Sequence, residues 1–274
     1  MKYKLFKVRI IIIRTLISVM FALFVWLLLF VINGVIEKGV VDNIINDYKD
    51  RGIFDKTIDI QGQKVDIYKV YTKYDYEDAK TFIFDDSLTS KYYIGSTCDI
   101  ILTTRNPLRK NPTAIVRDVA DIAARYFYLG HGTINVSSDG SMVGECVGNE
   151  DDNNGVRIAE QKWIYTEVRN GNDAQIILGL RIKNITDKNK ENICNYLKEL
   201  EGKGYNYIVP LYNMNKYYCT DLISRVLNKE GIHINYDFFY TTGNDIIISD
   251  NTYPIFLCER IEEGYFKIYY LSEE

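Results

Sequence analysis

The segment NKYYCTDLISRVLNKEGI places Cys219 just ahead of an amphipathic run, with Leu222, Ile223, Val226 and Leu227 on one helical face and Gly231 as the stop. A thiol at a helix N-terminus sits at the positive end of the dipole, which favours the thiolate, the nucleophilic form. Thiol hydrolysis needs two further groups: a base, and a residue that orients the base. The chain has only two histidines, so the choice of base is narrow. His131 directly follows a glycine and opens the extended segment HGTINVS, a position that can aim an imidazole into a cleft. His233 lies in GIHIN, just past the Cys219 helix, and reads as a solvent-facing or locally packed residue. His131 is the preferred base for the Cys219 nucleophile.

The orienting group follows from the hairpin formed by HGTINVS and SMVGECV. A two-residue Asp139–Gly140 loop would pair Glu145 with Ile134, on the face away from His131. A three-residue loop, Ser138–Asp139–Gly140, with Gly140 left-handed at a bulge, shifts the register by one. Glu145 then opposes Thr133 on the face of His131, at a diagonal of roughly 7–8 Å between backbones, within side-chain reach. The x-Asp-Gly sequence suits the longer loop, so Glu145 is the expected third member. Asn135, on the same face, is the alternative, and an ordinary solvated carboxylate is the bland reading of Glu145. The Cys219 backbone N–H is an oxyanion donor candidate; no second donor is identified. Tyr217 and Tyr218 are candidates for lining the substrate site. Asp221, in the first helical turn, reads as a carboxylate that complements the dipole.

The other four cysteines, Cys98, Cys146, Cys194 and Cys258, form no CxxC pair with each other or with Cys219, which argues against a zinc site. The odd number and low density do not describe a disulfide scaffold. No metal or cofactor is expected. A net charge of −4 argues against nucleic acid as a partner. With 47% hydrophobic and 26% charged residues, the 274-residue chain is a folded protein. Its 23 tyrosines read as compositional bias, with an aromatic, sugar-contacting groove as the functional alternative.

Elements that must hold these residues are interspersed without a βαβα rhythm, which predicts an α+β fold. Residues 57–73, with IDIQGQKVDIYKVY at their centre, alternate as a hairpin turning near Gly62. CDIILTT is a short apolar strand. Residues 112–129 read as a helix with Pro112 in its first turn and a buried stripe of Ala114, Ile115, Val119, Ile122, Ala123 and Phe127. Residues 150–154 read as a polar, acidic loop; 176–183 as a strand; 186–200 as a helix; 265–271 as a terminal strand. Residues 75–86 are acidic and aromatic and receive no assignment.

The N-terminal region predicts a membrane span. Residues 15–32 form an uncharged run of 18 residues, about 27 Å of helix, close to the hydrocarbon thickness. Arg14 can snorkel, which extends the span back to Ile10. Lys2, Lys4, Lys7, Arg9 and Arg14 precede it and a mixed flank follows, so the positive-inside rule puts the N-terminus in the cytoplasm and the rest outside. An uncleaved signal anchor is preferred to a cleaved signal peptide, because the apolar run is long and no small-x-small site follows it closely.

The order of parts resembles the YiiX/YaeF-like group of permuted papain-like amidases, within the NlpC-type superfamily of cell-wall peptidases. CDIILTT comes first, then GHGTINV and GECVG, then ILGLRIK with a helix and GYNYIVP, and YYCTDL and YTTGNDIIISD come last. The resemblance covers roughly residues 92–274. It implies a circularly permuted papain-like fold with a central antiparallel sheet, Cys219 as nucleophile, His131 as base and Glu145 as third member. Asp99, in the matched first strand, joins Tyr217 and Tyr218 as a substrate-binding candidate. Two departures stand out: Cys98 replaces the family's usual glycine before Asp99, and HGTINV replaces its usual His-Val-Gly-Ile. The expected organisation is a basic flank and signal anchor over 1–33, a juxtamembrane helix and hairpin spacer over 34–90, and the catalytic domain over 91–274. The expected function is a membrane-anchored extracytoplasmic cysteine peptidase or amidase acting on peptidoglycan peptides. Lipid-directed amidase, thioesterase or acyltransferase chemistry on a lipid-linked substrate, and a non-catalytic binding module, are the alternatives.

Overall fold

A computed structural model describes residues 2–60, 62–79, 93–106, 112–148, 154–163, 176–207, 213–235 and 240–273. The acidic loop expected over 150–154 falls almost wholly outside them, as does most of the unassigned stretch 75–86.

Helix α1 (Lys2–Asp50) runs unbroken through the apolar segment and on past Gly34. It is long and apolar enough to cross a membrane, and the most apolar part of it is not buried against the rest of the protein. Its second half changes character. Phe30, Gly34, Glu37, Val41, Ile45 and Tyr48 are buried, spaced by threes and fours on the face turned to the domain. The helix that is long and apolar enough to span a membrane is thus also a core helix.

Strands β1 (Gly52–Ile60) and β2 (Gln63–Tyr71) form the expected hairpin. It is not a free spacer: β2 pairs in parallel with the terminal strand β11 (Tyr265–Ser272), so residues 52–71 are the edge of the main sheet. The remaining strands are β3 (Ile100–Thr103), β4 (His131–Asn135), β5 (Met142–Val147), β6 (Gly155–Glu160), β7 (Ile176–Ile182) and β10 (Thr252–Glu262). Together they make one nine-stranded sheet in the order β1-β2-β11-β10-β7-β3-β4-β5-β6. The expected antiparallel sheet is corrected to a mixed one by the parallel pairing of β2 with β11. Short strands β8 (Gly204–Tyr205) and β9 (Lys216–Tyr217) pair separately.

Helix α3 (Asp187–Leu200) starts with a capping box from Thr186 and Asn189 and buries Ile193, Leu197 and Leu200. Helix α4 (Cys219–Lys229) buries Leu222, Ile223, Val226 and Leu227, the predicted face. Helix α5 (Gly243–Ile248) is capped by Thr242 and lies beside α1. Helix α2 (Ala114–Phe127) departs from expectation. Only Ala124 is buried, while Ile115, Val119 and Ile122 are 74%, 61% and 63% exposed. The predicted buried stripe faces outward. Periodicity establishes that a helix has an apolar face; it does not say which medium covers it.

Candidate active site

The site forms where the N-terminus of α4 meets the start of β4. The β4–β5 register pairs Thr133 with Glu145, as the three-residue loop requires, and Gly140 takes φ +71° in that loop. Across it His131 Nε2 and Glu145 Oε2 are 2.9 Å apart. Cys219 lies beside the same ring, close enough for a side-chain interaction with the imidazole to shift both groups. Arg157 on β6 donates from Nε to Glu145 Oε1 at 2.8 Å. Thiol, imidazole, carboxylate and guanidinium therefore lie in one line across α4, β4, β5 and β6.

Electrostatics along this line are set by mutual support against desolvation. Burial works against the Cys219 thiolate, but the bond and charge of His131 and the N–H groups of Gly132 and Thr220 hold its pKa below that of an ordinary thiol. Burial likewise disfavours imidazolium, yet the contacts with Cys219 and Glu145 raise the His131 pKa to about 10. Burial would raise Glu145; His131 and Arg157 outweigh it and bring the carboxyl to about 2. All three shifts favour the thiolate–imidazolium form of the pair, backed by a carboxylate.

The signs give a pH window. His131, raised from its unfolded value near 6.5, contributes stability that is complete below that value and is lost as pH rises through about 10. Glu145 contributes above its unfolded value of about 4.3 and loses the contribution as pH falls through about 2. Cys219 contributes above the ordinary thiol pKa and loses it as pH falls through its lowered value. A free thiol loses more than about tenfold in alkylation rate between pH 9 and 7. Cys219 is expected to keep a larger share of its rate over that interval, measured with iodoacetamide and peptide mapping. Glu145→Gln should narrow the window from the alkaline side and slow turnover by about 10²-fold, read from pH–rate profiles.

Several neighbours escape sequence reasoning. Trp163 is buried with its ring 5.6 Å from that of His131, and its indole N–H donates to Thr133 Oγ1 at 3.4 Å. Tyr205 is close enough for the Cys219 charge, after burial, to raise its hydroxyl pKa. Arg157 lies on β6, a strand whose sequence gave no clear alternation; only its cross-strand position opposite Glu145 would have revealed it.

Other expected site residues lie elsewhere or are covered. Tyr217 and Tyr218 are 3% and 6% exposed. The Arg225 guanidinium lies over the Tyr217 ring at 4.8 Å, so these side chains pack around α4 and present no open ring. Asn135 is not the orienting group: its amide donates to Ile94 O at 2.7 Å and its carbonyl accepts from Gln161. His233 is exposed, with Nδ1 2.9 Å from Asn228 Oδ1. Asp221 pairs with Arg225 at 2.7 Å.

Asp99 is not brought to the thiol. It abuts the far end of β4, whose Asn135 N–H donates to its carbonyl, while Thr103 pairs with His131; four residues of strand are roughly 13 Å. Its carboxylate forms a two-pronged pair with Arg181, Nε at 2.9 Å and Nη2 at 2.7 Å, on the wall of a separate cavity of about 240 Å³. Cys98, just before it, takes φ +70°. That left-handed backbone favours glycine, a physical reason for the glycine expected at this place.

Among the described residues no group of three His, Cys, Asp or Glu side chains is arranged to hold a metal ion. No family model matches the sequence, and no curated protein does. Among solved structures, the chain is similar to the crystal structure of the metalloprotein YiiX from Escherichia coli O157:H7 (DUF1105). Identity is 13%, the match covers 59% of this chain and 96% of that one, and the TM-score is 0.42.

Proposed function

We propose that the chain is a membrane-anchored cysteine hydrolase that cleaves amide bonds of peptidoglycan peptides on the outer side of the membrane. One observation carries the chemistry: the contiguous Cys219–His131–Glu145 line, with the sulfur at the first residue of α4. The Cys219 thiolate attacks the carbonyl carbon, and the tetrahedral oxyanion is stabilised by the Cys219 N–H. His131 imidazolium protonates the departing amine as the C–N bond breaks, leaving a thioester. Neutral His131 then removes a proton from water, which attacks the thioester and restores the thiolate. Glu145 holds the ring by Nε2 throughout. The basic flank before the apolar run supports an outward-facing domain.

Lipid-linked amides or thioesters are the second reading. It is favoured by the exposed apolar residues of α2, whose last residue lies four positions before His131. Incubation with stem peptides in parallel with lipid amides and lipid thioesters separates the readings, with intact-mass detection of an acyl adduct on Cys219. An adduct and turnover with stem peptides are expected. Adducts with lipid substrates alone reassign the substrate, and no adduct with either class leaves a binding module.

A further inference from the structure

Among the described residues beyond α1, a run of exposed large apolar side chains lies on one helix, α2. On α2, Ile115, Val119, Ile122 and Tyr126 follow one another at spacings of four, three and four, which puts them on one face. The one buried residue, Ala124, lies on the opposite face. The helix therefore docks through Ala124 and, at its end, Phe127, and presents Ile115, Val119, Ile122 and Tyr126 outward. A contiguous stripe of this kind marks an interaction surface.

The position of α2 identifies what covers it. The Phe127 ring at its end stacks on Phe30 of α1 at 5.1 Å and rests on Gly34, where a side chain would find no room. Phe30 and Gly34 bracket the end of the apolar run. Tyr240 joins the same cluster, 5.0 Å from Phe30 and 6.4 Å from Trp26. Aromatic side chains gathered at the end of a membrane span are the composition of the lipid–water boundary. On α1 itself, Val31, Ile32, Val35 and Ile36 remain exposed at this level, so the medium beside α2 is the one that solvates those residues. Arg117, Asp118, Asp121 and Arg125 lie off the stripe and sum to zero charge.

We infer that α2 lies flat in the outer boundary of the bilayer that α1 spans, with Ile115, Val119, Ile122 and Tyr126 in contact with lipid, as a second membrane attachment of the domain. The inference rests on the reading of α1 as a membrane anchor. Insertion is by apolar area rather than charge. Because Tyr128, Leu129 and Gly130 alone separate α2 from His131, the attachment fixes the catalytic end of β4 close to the membrane surface. With α1 alone in the bilayer, the helix and the domain packed on it would be free to tilt together against the membrane plane.

The test is photocrosslinking of the full chain in vesicles of phosphatidylcholine and phosphatidylglycerol. A benzophenone amino acid is placed in turn at Leu23 on α1, at Val119 on the α2 stripe and at Asp118 beside it. Lipid adducts at position 119 are expected at about ten times the yield at 118, and within about twofold of that yield in phosphatidylcholine alone. Position 23 reports the anchor independently. Adducts at 23 without adducts at 119 overturn the inference while leaving the anchor. Loss of both overturns the anchor and the inference with it. Crosslinks from 119 to a second copy of the chain reassign the stripe to self-association and also overturn it.

Discussion

Cys219→Ala should lower amide hydrolysis by at least about 10⁴-fold and leave the folded protein in place. The activity term is large because the sulfur is both the bond-forming atom and the anionic half of the pair that keeps His131 charged. Removing it takes away the nucleophile and also lowers the base's pKa. The structural cost is small: the α4 face that packs on the sheet is made by Leu222, Ile223, Val226 and Leu227, which the substitution does not touch. Cys219→Ser should be nearly as inactive, since a hydroxyl at this place is not ionised by an imidazole. The measurement is turnover on the substrate identified by adduct formation, alongside circular dichroism. A variant retaining a tenth of the activity would exclude the proposed mechanism.

The result also distinguishes Cys219 from the other thiol poised to react. Cys194 on α3 is half-buried, and its contact with Cys98 lowers its pKa to about 7, against the opposing effect of burial. Its partner is a thiol whose own pKa is pushed far up, which makes it a poor acid toward a leaving amine. Alkylation mapping should therefore find two modified cysteines, Cys219 and Cys194, with only the first tied to loss of activity. Cys98, Cys146 and Cys258 are buried and should resist. Inactivation that follows Cys194 modification while Cys219 stays unmodified would reverse the assignment.

How much of this could be read from the chain depended on whether the signal was local. The β4–β5 register was legible because one glycine with positive φ decides between two loops, and the loop decides which face Glu145 occupies. The α4 pattern was legible because its apolar face meets ordinary core. The parallel pairing of Ile67 with Ile268 was not, since nothing near either residue names a partner some 200 positions away. β10 was missed because seven consecutive buried residues show no alternation and Pro254 argues against a strand. Arg157 was missed with β6, so the fourth group of the site had no sequence signature. The α2 stripe was read correctly as apolar and wrongly as buried, because the same pattern serves a core and a lipid surface.

Arg181→Met should destabilise the protein by about 3–5 kcal/mol, the usual cost of leaving a buried charge without its partner. Both side chains are almost wholly enclosed, 9% exposed for Arg181 and 3% for Asp99. Arg181 also donates to the Asp78 carbonyl, and the Asp78 N–H donates to the Tyr253 hydroxyl. One guanidinium thus ties β3, β7 and the segment after β2 together. With methionine in its place the carboxylate keeps, among the described residues, Ser96, whose N–H donates at 2.7 Å and hydroxyl at 3.3 Å, too little to solvate a buried anion. Denaturant unfolding of the full chain in detergent measures the loss. The same pair of residues decides the part played by Asp99. With the carboxylate about four strand positions from the imidazole and locked to Arg181, Asp99→Asn should lower stability with little change in KM or kcat for the protein that remains folded. A KM raised tenfold at unchanged stability would instead put Asp99 on the substrate, and would require the substrate to reach around the end of β3 from the thiol to the cavity beside Arg181.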